Sequence, residues 1–150
     1  MAVELARRLT AQKVEAVCGP LVEGAFVALM VARELGVAFA YSEQFKASKA
    51  DSLYPVKYRL PAALRSKVRG RRVAIVNDVV NAGSAVRGTY ADLVECGALP
   101  VAVGALLVLG SSAASFAADK SMALESLAFL PNTLWLPAEC PLCAAGVPLE

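Results

Sequence analysis

Apolar positions along this chain switch between helical spacing and short continuous runs. Leu5, Leu9 and neighbouring alanines recur at helical spacing and predict a first helix that ends before Val14. Val14 to Cys18 is an apolar run bounded by Gly19-Pro20, which reads as a strand entering a turn. Ala25 to Leu35 holds mostly good helix formers, with Gly36 where a left-handed cap would stop the helix, and Val37 to Tyr41 follows as a strand. Glu43 to Ser66 is polar and then aromatic, so residues 43–66 read as a surface excursion that can act as a flexible lid. Arg72 to Asn77 is a β-branched strand that stops in Asp78, Asn81 and Gly83, ahead of helical spacing at Val86, Tyr90, Leu93 and Val94 that ends at Gly97. Leu99 to Leu109 reads as a fully buried strand, Ala113 to Leu130 as an interrupted helix, and Thr133 to Leu136 as a short final strand. This alternation predicts an α/β fold: a central, mostly parallel sheet with helices on both faces, in one domain over residues 1–150. Such sheets bind ligands beyond the carboxyl ends of their strands.

Composition narrows the chemistry. Of 150 residues, 57% are hydrophobic and 19% charged, enough to bury a substantial core. The net charge of +2 is too small for the field that drives nucleic-acid binding, and the basic residues are scattered except for Lys67, Arg69, Arg71 and Arg72. Histidine is absent, which removes Ser-His-Asp and Cys-His pairs, His-based zinc sites and imidazole bases together. Catalysis would then rest on carboxylates, Lys, Arg, backbone amides or a metal carried by the substrate. Residues 1–10 carry charges and no apolar signal core, and the apolar centre Leu99 to Leu109 is too short to span a bilayer, so a cytoplasmic protein without membrane partners is expected. Cys18, Cys96, Cys140 and Cys143 contain a single CxxC, half of a tetrahedral zinc shell, and read as reduced structural thiols rather than a metal site. The tail from Pro141 to Glu150 reads as packing or interface.

The informative stretch runs from Val73 to Ala85. A buried strand delivers Asn77 and Asp78, and a small-residue loop of Asn81, Ala82 and Gly83 opens a helix at Ser84 and Ala85. Unpaired N–H groups at a helix start, with small residues that let an anion approach, make a phosphate cradle, and Ser84 can add a hydroxyl donor. Asn77 and Asp78 at the strand end can bond vicinal hydroxyls, so the segment describes a ribose 5-phosphate site. An ordinary strand, turn and helix would carry the same pattern. Gly83 and Gly88 have Walker-loop spacing, but Thr89 stands at the lysine position, and no GxGxxG follows a strand.

The segment VAIVNDVVNAGSA resembles the PRPP-binding signature of type I phosphoribosyltransferases, and most closely that of the orotate phosphoribosyltransferases. The resemblance implies that Asp78, with Asn77, holds the ribose diol and that Asn81, Ala82, Gly83, Ser84 and Ala85 hold its 5-phosphate. Arg87 stands where that family has the arginine that meets the orotate carboxylate, and a guanidinium suits a planar carboxylate that purine bases lack. Cys18 to Ala25 resembles the family's diphosphate loop, which assigns Gly19, Pro20, Glu23 and Gly24 to the leaving group. Lys46 and Lys49, in the excursion, stand nearest to the family's catalytic-loop cations. Asn77 replaces the usual first acid, Asn81 a hydroxyl residue and Glu23 a glycine, and the family's N-terminal hood is shortened or absent ahead of the first strand.

The resemblance therefore implies transfer of a phosphoribosyl group from PRPP to orotate, giving orotidine 5′-phosphate and diphosphate. It also implies Mg²⁺ held largely by PRPP and a homodimer that shares the lid. A phosphoribosyltransferase for another nucleobase, or a non-catalytic PRPP-binding module of the same fold, are the alternatives that the residues leave open.

Overall fold

The computed structural model describes residues 1–46, 56–133, 135 and 137–147. Helix α1 (Ala2–Leu9) runs through a 3₁₀ turn into strand β1 (Ala16–Pro20), and α2 (Glu23–Leu35) leads to β2 (Ala38–Lys46). Strand β3 (Val56–Arg59), α3 (Ala62–Val68), β4 (Arg72–Val80), α4 (Ser84–Glu95) and β5 (Leu99–Leu109) follow. Helix α5 (Ser112–Asp119), β6 (Ala123–Leu130) and the short α6 (Pro141–Ala144) complete the described elements. No helix among the described residues is long and apolar enough to cross a membrane.

The strands form one sheet in the order β3-β2-β1-β4-β5-β6, and every pairing is parallel except β2 with β3. Helices cover both faces, as the near-continuous apolar strands predict. On one face Leu5 and Leu9 of α1 and Ala28, Val31 and Ala32 of α2 bury Val17, Ala74, Val76 and Ala102 of the sheet. On the other, Val68 of α3, Val86 and Leu93 of α4, and Phe116 and Ala117 of α5 cover Ala16, Cys18, Val73, Ile75 and Val103. The chain builds outward from β1 to β3, then returns to lay β4 on the other side of β1. The strand order thus reverses between β1 and β4, where doubly wound sheets open a ligand crevice.

Several boundaries differ from the sequence reading. The first strand is Ala16–Pro20 rather than Val14 to Cys18, because its register with β2 runs from Ala16 opposite Ala38 to Pro20 opposite Ser42. Much of the supposed lid is built structure. Residues 43–46 pair with 56–59, α3 follows, and Leu60 is buried, while the excursion's tip at 47–55 lies outside the described residues. Asp92 on α4 fixes this region: it accepts the Leu60 backbone N–H at 2.7 Å and the Arg65 guanidinium at 3.4 Å.

The expected long helix over Ala113 to Leu130 is instead α5 followed by strand β6. The helix stops where Ser121 takes a positive φ of 53°, and the next segment pairs with β5 from Ala123 opposite Ala102 to Leu130 opposite Leu109. A sheet edge offering a full ladder of hydrogen bonds outweighs the helix propensity of Ala, Leu and Glu. The expected strand over Thr133 to Leu136 does not form at Thr133 or Trp135, and Leu134 and Leu136 lie outside the described residues.

Candidate functional site

At the strand reversal the ends of β1 and β4 lie side by side, each leading into a helix. Strand β4 extends past Asn77 to Val80, so Asn77 and Asp78 belong to the strand rather than to a loop. Val73, Ile75 and Val80 lie in one core and Ala74 and Val76 in the other, so strict alternation is interrupted between Val76 and Val80. Asn77 sits at that interruption. Its side chain is buried, its Nδ2 donates to the Val79 carbonyl at 3.0 Å, and its Oδ1 packs against Gly24. Asn77 therefore joins β4 to the start of α2 as well as lining the pocket beyond it.

That pocket, of 260 Å³, is lined by Asn77, Asn81, Ala82, Gly83, Ser84 and Ala85 together with Val79, Val80 and Val86. The predicted phosphate residues are thus brought to one place. Gly83 adopts φ 80° and ψ 15°, a left-handed conformation that suits glycine, and it is the N-cap of α4 with no side chain capping the helix. The first-turn N–H groups of α4 therefore have no capping side chain and face an open pocket at the positive end of the helix dipole. Asp78 is half-buried and lies outside the walls of this pocket. Among the described residues its carboxylate takes part in no hydrogen bond or ion pair, so its acceptor capacity is available to a ligand.

The predicted diphosphate loop is tighter than its sequence suggests. Gly19 and Pro20 end β1, Leu21 and Val22 make a connection joined by a cis peptide, and Glu23 and Gly24 already belong to α2. The glycines are demanded by packing. A Cβ on Gly19 would lie 2.5 Å from the Gly24 carbonyl oxygen, and one on Gly24 would run into Asn77 Oδ1. Their smallness lets β1, α2 and β4 converge at the crevice. Lys46 is the last residue of β2, and Lys49 lies outside the described residues.

Arg87 projects from α4 beside the Gly83 turn, with its Nε 3.7 Å from where a Gly83 Cβ would be. Its Nη2 donates to the Ser112 hydroxyl at 3.2 Å and to the Ser112 carbonyl at 3.4 Å, and its guanidinium lies over the Phe116 ring, 4.6 Å from the centroid. Ser112 in turn donates from Oγ to the Ala82 carbonyl at 2.9 Å, and Asn132 donates to Asn81 Oδ1 at 2.9 Å.

Sequence reasoning missed Ser112, Phe116 and Asn132. The signal that could have found Ser112 is Gly110-Ser111-Ser112 directly after β5, a small-residue turn at the same carboxyl edge as the loop after β4. Thr89, excluded above as a Walker lysine, is a buried partner of Ser42, with hydroxyl oxygens 2.6 Å apart. The cysteines divide by place. Burial, with the Asp92 carboxylate nearby, pushes the Cys18 and Cys96 thiols above their ordinary range, which keeps them inert. Cys143 is exposed and Cys140 half-buried, with the Cys143 backbone N–H drawing the Cys140 thiol below its ordinary range.

A family model described as the phosphoribosyl transferase domain matches residues 1–122. An orotate phosphoribosyltransferase of Thermotoga maritima is 33% identical over 150 residues, covering 98% of this chain and 71% of that protein. One of Caldanaerobacter subterraneus is 27% identical over 146 residues, covering 97% of this chain and 70% of its own. Among solved structures, the orotate phosphoribosyltransferase from Aeropyrum pernix superposes with a TM-score of 0.67 at 22% identity, over 86% of this chain and 70% of that one. The adenine phosphoribosyltransferase from Thermoanaerobacter pseudethanolicus gives 0.70 at 19% identity, over 86% and 78%.

Proposed function

This chain belongs to the phosphoribosyl transferase domain family, and from that premise we propose that it transfers the phosphoribosyl group of PRPP to orotate. The observation that carries the reading is the crossing from β4 to α4, where the Gly83 turn leaves the helix start without a capping side chain and Arg87 stands beside it. The relatives named orotate phosphoribosyltransferases favour orotate as the acceptor.

In this reading the 5-phosphate is held by the amides of residues 81–85 and the Ser84 hydroxyl, which fixes the sugar with its anomeric carbon toward the crevice. The bond from that carbon to a diphosphate oxygen breaks while a bond to a ring nitrogen of orotate forms, and the nitrogen's proton passes to solvent. Positive charge develops on the ribose in between. Asp78 accepts from the ribose hydroxyls and places a negative charge close to that centre, where it gains strength as the charge develops. A hard cation takes oxygen ligands, so the unpartnered carboxylate of Asp78 suits the Mg²⁺ that PRPP brings, which neutralises charge on the departing diphosphate. Lys46 and Lys49 supply further positive charge to the leaving group, across a homodimer.

Arg87 selects the base. A carboxylate can receive parallel hydrogen bonds from a guanidinium, whereas adenine, guanine and hypoxanthine offer no anion. The test is diphosphate release from PRPP and Mg²⁺ with orotate, uracil, adenine, guanine and hypoxanthine in turn, for the natural protein and for Arg87→Ala. Release with orotate is expected. Arg87→Ala should raise the KM for orotate about 10- to 100-fold, the worth of a charge-assisted contact, and leave that for PRPP unchanged. Release with a purine but none with orotate overturns the acceptor assignment, and PRPP binding without turnover of any base makes the chain a binding module.

A further inference from the structure

We propose that Phe116, with Ser112, is a positioning residue that fixes the Arg87 guanidinium for a planar carboxylate, and so sets the preference for an acidic base over neutral ones. The inference rests on the role given to Arg87 above. The arrangement begins in helical spacing. Arg87 and Tyr90 are three residues apart on α4 and present one face to Phe116 of α5. Arg87 lies over the Phe116 ring, 4.6 Å from its centroid, and the Tyr90 ring meets the same ring edge-on, 5.4 Å away at 86°. Phe116 is 7% exposed, so its plane is set by the core and cannot follow the arginine.

A long exposed arginine samples many rotamers and must give them up when it binds a carboxylate. Here the Phe116 ring face holds the guanidinium carbon 4.6 Å from its centroid, and Ser112 restricts its rotation. Both Ser112 contacts fall on Nη2, which leaves Nε and Nη1 without a partner among the described residues. Since these two do not share an edge of the guanidinium, a carboxylate pairs with one of them together with the second Nη2 hydrogen. Much of the ordering therefore precedes binding, and it is the affinity for the carboxylate that benefits. The Ser112 bond to Ala82 connects the same device to the phosphate loop, so the carboxylate donor and the phosphate cradle are held in one relation.

Steady-state kinetics of Phe116→Leu and Phe116→Tyr, together with the side-chain Nε proton resonance of Arg87, test this. Phe116→Leu should raise the KM for orotate about three- to tenfold, the range of a partly desolvated cation–π contact, with kcat and the KM for PRPP changed by less than about twofold. Phe116→Tyr, which keeps the ring, should restore it. A proton over a ring face is shielded, so the Arg87 Nε proton should lie upfield of those of exposed arginines and return to them in Phe116→Leu. An unchanged orotate KM, or equal rises for orotate and PRPP, overturns the positioning role. If Phe116→Leu does not fold, the natural protein's resonance decides: an unshifted Nε proton overturns the stack. No orotate turnover by the natural protein with a shifted Nε proton overturns the substrate reading, and the selectivity claim with it, while orotate turnover with an unshifted proton overturns the positioning alone.

Discussion

Replacing Asp78 by Asn should, on the proposed function, lower kcat for phosphoribosyl transfer about 100-fold and leave the melting temperature where it is. The first half follows from the position of the charge. Asn keeps the size and one acceptor of Asp, so the variant removes little beyond the negative charge facing a ribose that becomes positive in the transition state, and loss of one such preorganised group costs about 10²–10³ in rate. The second half follows from the half-buried carboxylate having no hydrogen bond or ion pair among the described residues. Substitutions that break no contact change stability by roughly 0.5 kcal/mol or less. Turnover under saturating PRPP and orotate, read beside a thermal melt, checks both. A loss of less than twofold would remove Asp78 from the chemistry, and a large fall in melting temperature would make its role structural.

Gly19→Ala is the substitution with the largest expected effect on folding. The added Cβ would meet the Gly24 carbonyl oxygen at 2.5 Å, the Ala28 Cβ at 2.6 Å and the Ala25 Cα at 2.8 Å. None of these is the end of a flexible side chain, so β1 and α2 must separate. Overpacking against such neighbours costs about 3 kcal/mol, or roughly 10 °C in melting temperature for a chain of this size. Because Gly24 also packs against Asn77, the displacement reaches the crevice, and PRPP affinity should fall with stability. Gly70→Ala provides the contrast: Gly70 has a positive φ of 70° but nothing within 4 Å of a built Cβ, so only the smaller backbone penalty applies. Equal melting temperatures for Gly19→Ala and the natural protein would refute the packing account.

The fold was legible wherever the local pattern and the tertiary demand agree. Arg72 to Val76 is β-branched and lies in the middle of the sheet, and the Gly36 cap stops α2 in the left-handed conformation expected of it. Ala123 to Leu130 has a composition that favours a helix, while the reason for its extended form, the edge of β5, lies outside the segment. The pocket-lining residues 81–85 could be singled out in sequence because they are contiguous and small, and the structure places them on one wall. Phe116 and Asn132 could not, and Ser112 only through the small-residue turn after β5, since their contacts arise only when the β5 and β6 ends fold beside the β4 end. Gly19 and Gly24 were read as ligand amides, and the packing shows a second reason for their smallness that no single sequence reveals.

The most direct test follows backbone amide resonances during titration with ribose 5-phosphate, which carries the sugar and the phosphate without the leaving group. Saturable shifts at residues 81–85, strongest at the start of α4 and reversed by competing PRPP, are predicted. Shifts confined to the basic cluster at Lys67, Arg69, Arg71 and Arg72, or no saturable shift in the loop after β4, would contradict the account.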